Sequence, residues 1–137
     1  MRNIVLDTNC LIHCIAANSK FHDVWTAFLN EEFRLCISNE IMYEYEEILA
    51  KKISPKFAFG IIQIILNSEN VFFAHPTYRF NLITIDPDDN KFVDCAIVAN
   101  ADFIVSQDSH FDVLKNINFP KVNVIRIEEF IIELLNF

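Results

Sequence analysis

The chain has 137 residues, 53% of them hydrophobic and 22% charged, with a formal charge of −8. That length closes one hydrophobic core and leaves too little for two ordinary domains, so residues 1–137 are expected to form one domain. The apolar content excludes a disordered chain, and the acidity excludes a nucleic-acid binder that works through a broad basic surface.

Asn3-Ile-Val-Leu6 is a β-branched run that predicts a strand, closed by the polar corner Asp7-Thr8-Asn9. Helical spacing follows from Cys10 to Ala17 and again from Phe21 to Leu29. Arg34-Leu-Cys-Ile37 reads as a second strand, and Ser38 or Asn39 as the cap of a helix from Glu40 to Lys52. Pro55 suits the first turn of a helix reaching about Asn67, and Val71-Phe-Phe-Ala74 is a further strand. From His75 to Asn90 an irregular connection is expected, delivering Asp86-Pro-Asp-Asp89 to a helix that ends near Ala101. Phe103-Ile-Val105 predicts a strand, His110 to Asn116 a short helix, Val122 to Ile127 a strand and Glu128 to Leu135 the last helix. Apolar strands alternating with helices imply a mainly parallel central sheet with helices on both faces, an α/β three-layer sandwich.

No apolar run approaches the ~20 residues that span a bilayer, and the N-terminus lacks the order of a signal peptide. A cytoplasmic location is therefore expected, with Cys10, Cys14, Cys36 and Cys95 as small buried hydrophobes.

The acids carry the chemistry. Ligands of an open parallel sheet bind at the carboxyl ends of its strands, and Asp7 and Asp108 each follow a predicted strand. Asp88 and Asp89 open a helix, where Asp88 reads as a cap. On the wheel set by Ile41, Tyr45, Ile48 and Leu49, Glu44 falls at the edge of the buried face, whereas Glu40, Glu46 and Glu47 point to water. Asp94 lies on a helix that is apolar almost all round and, if buried, needs a partner; it belongs to the site or is a hydrogen-bonded structural acid or an exposed one. Carboxylates brought this close would repel one another without a cation, and their hard oxygens suit Mg²⁺ or Mn²⁺. Such an ion activates water for phosphodiester hydrolysis. Lys51, Lys52, Lys56, Lys91, Lys115 and Lys121 remain for a nucleic-acid backbone. His13, His22, His75 and His110 lack ligand spacing and read as surface or packed residues, with His110 close to Asp108.

Other acid-pocket folds fit less well. A haloacid-dehalogenase-type phosphatase needs a second Asp where Asn9 stands, and a receiver domain needs an Asp after a middle strand, where Ile37 and Ala74 are followed by none. Gly60 is the sole glycine and falls inside a predicted helix, which excludes a glycine-rich phosphate cradle.

Ile4-Val-Leu-Asp-Thr-Asn9, Ser38 to Leu49, Asp86-Pro-Asp-Asp-Asn-Lys-Phe92 and Ala101-Asp-Phe-Ile-Val-Ser-Gln-Asp108 together resemble, in order and spacing, the PIN domain family, and more closely its bacterial toxin branch. The resemblance implies a Rossmann-like PIN fold and a metal-dependent endoribonuclease, the toxin of a toxin–antitoxin pair, with RNA as substrate and Mg²⁺ or Mn²⁺ as cofactor. It makes Asp7, Glu44, Asp89 and Asp108 the metal-binding acids, with Asn9 orienting Asp7 or water and Thr8 and Ser106 in support. The third ligand is open among Asp86, Asp88, Asp89 and Asp94, with Asp89 the first choice and Asp94 the second. A small antitoxin protein and a second copy of the chain are the expected partners. The alternative is a catalytically weak PIN-like module that binds a partner protein through its phenylalanine-rich surface.

Overall fold

A computed structural model describes residues 1–136; Phe137, which the expected domain includes, lies outside the described residues. Five parallel strands form one sheet in the order β3-β2-β1-β4-β5. They are β1 (Asn3–Leu6), β2 (Arg34–Ile37), β3 (Val71–Phe73), β4 (Phe103–Val105) and β5 (Val124–Ile125). The helices are α1 (Thr8–Ile15), α2 (His22–Leu29), α3 (Asn39–Lys52), α4 (Pro55–Leu66), α5 (Asn90–Ala99) and α6 (Ile127–Leu135). Two short 3-10 segments, Pro87–Asp89 and Ser109–Asn116, complete the described elements. The result is the three-layer α/β sandwich expected from the alternation of elements.

The central strand explains why its neighbours read as unbroken apolar runs. Ile4, Val5 and Leu6 are at most 2% exposed because helices cover both faces of the sheet. Ile4 sits beside Leu35 of β2 on one side and Phe103 of β4 on the other. From β1 the chain builds outward to β2 and β3, then returns to place β4 and β5 on the opposite side. That reversal opens a crevice at the carboxyl ends of β1 and β4, the place where such sheets take ligands.

Local chemistry sets the element ends. The Ser38 hydroxyl accepts from the Ile41 amide to cap α3, and Ser54 accepts from the Phe57 amide to cap α4 just ahead of Pro55. α1 begins at Thr8, earlier than the expected Cys10, because the Asp7 carbonyl already accepts from the Leu11 amide. β5 is shorter than the expected Val122 to Ile127. The Arg126 amide donates to Glu129 and the Ile127 amide to Gln107, so both leave the ladder to start α6. α5 stops at Ala99, short of the expected Ala101, as Asn100 turns to a φ of 51°.

The long connection before α5 is tied down from that helix. Buried Asn90 accepts from the Ile83 amide at 2.9 Å and donates to the Ile83 carbonyl at 2.8 Å. Asn90→Ala strands both backbone groups, each costing ~1–3 kcal/mol when buried and unpaired. A stability loss of about 2–4 kcal/mol, read as a lower urea midpoint at unchanged slope, is expected. A loss below ~0.5 kcal/mol would show that the connection is held elsewhere.

Candidate functional site

Asp7 stands at a corner shared by sheet and helix. Its amide donates to the Val105 carbonyl at 3.0 Å, extending the ladder between β1 and β4, while its carbonyl receives the Leu11 amide of α1. The backbone is thereby fixed on both sides of a side chain that is 7% exposed. Opposite it, β4 runs into Ser106, whose side chain is fully buried. The Ser106 hydroxyl donates to the Asp7 carboxylate at 2.7 Å and accepts from the Asp108 amide at 3.0 Å. One hydroxyl thus ties the carboxylate that follows β1 to the backbone that follows β4.

Glu44 arrives from α3, and a tyrosine fixes its height. Tyr45, fully buried, donates its hydroxyl to the Leu6 carbonyl at 2.5 Å, bolting α3 to β1 next to Asp7. Glu44 accepts a hydrogen bond from the Thr8 hydroxyl and another from Lys91 Nζ at 2.6 Å. Lys91 also pairs with Asp88 at 3.1 Å, and its side chain is only 10% exposed. It is therefore not one of the free lysines expected to meet a nucleic-acid backbone. Nor does Asp88 cap the turn before α5: the Asp86 side chain accepts from the Asp88 amide and fills that role.

Asp89 closes the pocket from the start of α5. His110 Nδ1 lies 3.2 Å from Asp89, 3.4 Å from Asp108 and 4.0 Å from Asp86. His110, noted for its nearness to Asp108, is half-buried among the acids: Asp108 accepts from its amide, and its ring reaches Asp89. Asp86, Asp89 and His110 offer ligand atoms within 4.8 Å of one another, a grouping that sequence spacing does not reveal.

The charges interact as a set. Burial raises the pKa of the Asp7 carboxyl, the Ser106 hydrogen bond opposes this, and the Asp108 and Glu44 charges raise it further. The Asn9 amide lowers it, while the Asn9 side chain is exposed. Asp89 is pushed up to about 6, first by burial; the His110 hydrogen bond opposes this, and Asp86, Asp108 and Asp7 add to it. Burial works against the Lys91 ammonium, but its pairs with Glu44 and Asp88 outweigh that and leave its pKa raised. Asp7 is therefore within electrostatic reach of Glu44, Asp89 and Asp108.

Asp94 stands apart. Its carboxylate accepts from the Phe80 amide at 3.2 Å, and the charges that act on it are Arg79 and Glu40 rather than the acids around Asp7. It anchors the connection before α5, which is the structural role that its apolar helix left open.

The donor set suits a hard divalent ion: several carboxylates at close quarters, two with raised pKa values, and few cations among them. Among the described residues, the grouping close enough to share one ion is Asp86, Asp89 and His110, with Asp108 3.4 Å from the His110 ring. Nitrogen from His110 adds a borderline donor beside them.

The family model described as PIN domain matches residues 3–110. No curated protein is similar enough in sequence to match. Among solved structures, VapBC2 of Rickettsia felis, bound to a DNA fragment from its promoter, is 16% identical; the match covers 90% of this chain and 98% of that one at a TM-score of 0.64. Mycobacterium tuberculosis VapC20, a sarcin-ricin loop cleaving toxin, is 16% identical over 80% of this chain and 92% of its own, with a TM-score of 0.59. The PIN domain of T. brucei RRP44 is 12% identical over 98% and 82%, with a TM-score of 0.57. At these identities the likeness is one of fold.

Proposed function

This chain belongs to the PIN domain family, and we propose that it is a divalent-metal-dependent endoribonuclease acting as the toxin of a toxin–antitoxin pair. The observation that carries the reading is the set of acids gathered around Asp7: Ser106 ties its carboxylate to the Asp108 backbone, and the charges of Asp108, Glu44 and Asp89 all act on it or with it. Asp7, Asp89 and Asp108 would hold the ion, Mg²⁺ or Mn²⁺, and Glu44 completes the acidic wall. When bound, such an ion supplies a nucleophilic water and neutralises charge at the phosphodiester.

The chain's own part is positioning. The Ser106 hydroxyl and the Asn9 amide orient Asp7, His110 steadies Asp89 and Asp108, and Thr8 with Lys91 fixes Glu44. No glycine-rich cradle or nucleophilic cysteine stands in the pocket, and the raised thiols, Cys10 and Cys14 near 12, are buried and inert. A small antitoxin, a second copy of the chain and a cytoplasmic setting belong to the same reading, supported by neighbours that are VapBC complexes. Residues 1–137 as one domain fit with a single cluster of buried apolar residues running from Ile4 to Phe130.

The acid pocket also governs which RNA end groups appear. Attack by water rather than by the 2′-hydroxyl leaves no 2′,3′-cyclic phosphate. Incubation of single-stranded RNA with Mn²⁺ is expected to give products free of cyclic phosphate, and EDTA is expected to stop their formation. EDTA-resistant cleavage, or cyclic-phosphate ends, counts against the proposal. Absence of any cleavage favours the rival module that binds a partner protein. One observation supports that rival: Phe57, Gly60, Ile61 and Ile64 of α4 line an exposed apolar groove.

A further inference from the structure

The acids of the pocket are not held alike. The Asp7 carboxylate accepts from Ser106, whose hydroxyl also takes the Asp108 backbone amide, and the Asp89 and Asp108 carboxylates meet at His110. Glu44 differs, because protein donors engage both of its oxygens: Thr8 on Oε2 and Lys91 on Oε1. Lys91 is a costly choice for that task. It sits in the first turn of α5, where the helix dipole disfavours a cation, and its side chain is 10% exposed where a long ammonium side chain ordinarily reaches water. Glu44 and Asp88 together offset both costs. The pocket therefore contains a fixed cation belonging to the chain, seated on one of its acids.

We propose that Lys91 is a positioning residue that stands in for a second divalent ion: it neutralises Glu44, keeps that carboxylate out of metal ligation, and limits the pocket to one ion. The proposal rests on the metal-dependent reading above and assigns the ion to Asp7, Asp89 and Asp108. A salt bridge with a merely structural role would make no difference to how many ions the pocket takes. Charge balance does make a difference, since an unpaired Glu44 beside Asp7 and Asp88 recreates the close carboxylates that attract a hard cation.

The test counts Mn²⁺ on the full chain by electron paramagnetic resonance of free ion, with calorimetry for affinity. Wild type and Lys91→Arg are expected to bind one Mn²⁺ per chain, and Lys91→Met two. The double variant Glu44→Gln with Lys91→Met removes the pair without changing net charge. It is expected to bind one ion with a Kd within about threefold of wild type, and it keeps the test open if Lys91→Met alone does not fold. Two ions in wild type, one ion in a folded Lys91→Met, or a tenfold or greater loss of affinity in the double variant overturns the proposal while leaving the nuclease reading in place. No Mn²⁺ bound by wild type overturns both.

Discussion

Asp7→Asn is expected to abolish Mn²⁺-dependent RNA cleavage while leaving the metal-free protein as stable as wild type or more so. The two effects have one cause. Asn keeps the size of Asp and an oxygen to accept from Ser106, so the corner between β1 and α1 is preserved. What it removes is a buried charge that Asp108 and Glu44 already oppose. Losing a group that merely holds a metal ligand typically costs ~10–100-fold, so losing a ligand oxygen should cost about 100-fold or more in cleavage. Melting curves in EDTA and in Mn²⁺ separate ligand loss from misfolding. Wild type is expected to gain melting temperature from Mn²⁺ and Asp7→Asn to gain little. An equal gain in both proteins means that Asp7 does not bind the ion.

What the sequence made legible was whatever backbone pattern dictates. Asp7 and Asp108 could be found because each follows an apolar strand, and strand ends in a parallel sheet face one edge. Glu44 could be found because helical phase places it at the margin of a buried face, and the structure puts Tyr45 beside it at 0% exposure. The pairing of Lys91 with Glu44 and that of His110 with Asp89 are not legible, because those partners are remote, whereas the contact of His110 with Asp108 is local. Lys91 meets Glu44 across 47 positions, and His110 meets Asp89 across 21, so neither pairing leaves a local spacing. Asp94, an acid on an apolar helix, has the Phe80 amide as its partner, and backbone donors carry no sequence signature. β5 failed at its ends for a similar reason: side chains from Gln107 and Glu129 compete for the amides that would have lengthened it.

Burial of these acids, with the repulsion among them added to it, predicts how stability depends on pH and how metal reverses that dependence. An unfolded Asp titrates near 3.9, whereas Asp89 in the folded chain titrates at about 6 and Asp7 above its ordinary value. Between these limits the native state binds more protons than the unfolded state, so the slope of unfolding free energy against pH is negative. The metal-free protein should therefore lose stability as pH rises from about 4.5 to 7, opposite to a protein whose acids are salt-bridged. Asp89→Asn removes the largest resolved contributor and should flatten the curve. A divalent ion replaces the protons that hold these carboxylates together, so Mn²⁺ should stabilise strongly at pH 7 and weakly near pH 5. Urea titrations at the two pH values, with EDTA and with Mn²⁺, measure all of these terms. A metal-free protein more stable at pH 7 than at pH 5 would mean that the acids are relieved by contacts within the chain, and the need for a cation, with the nuclease reading built on it, would lose its physical basis.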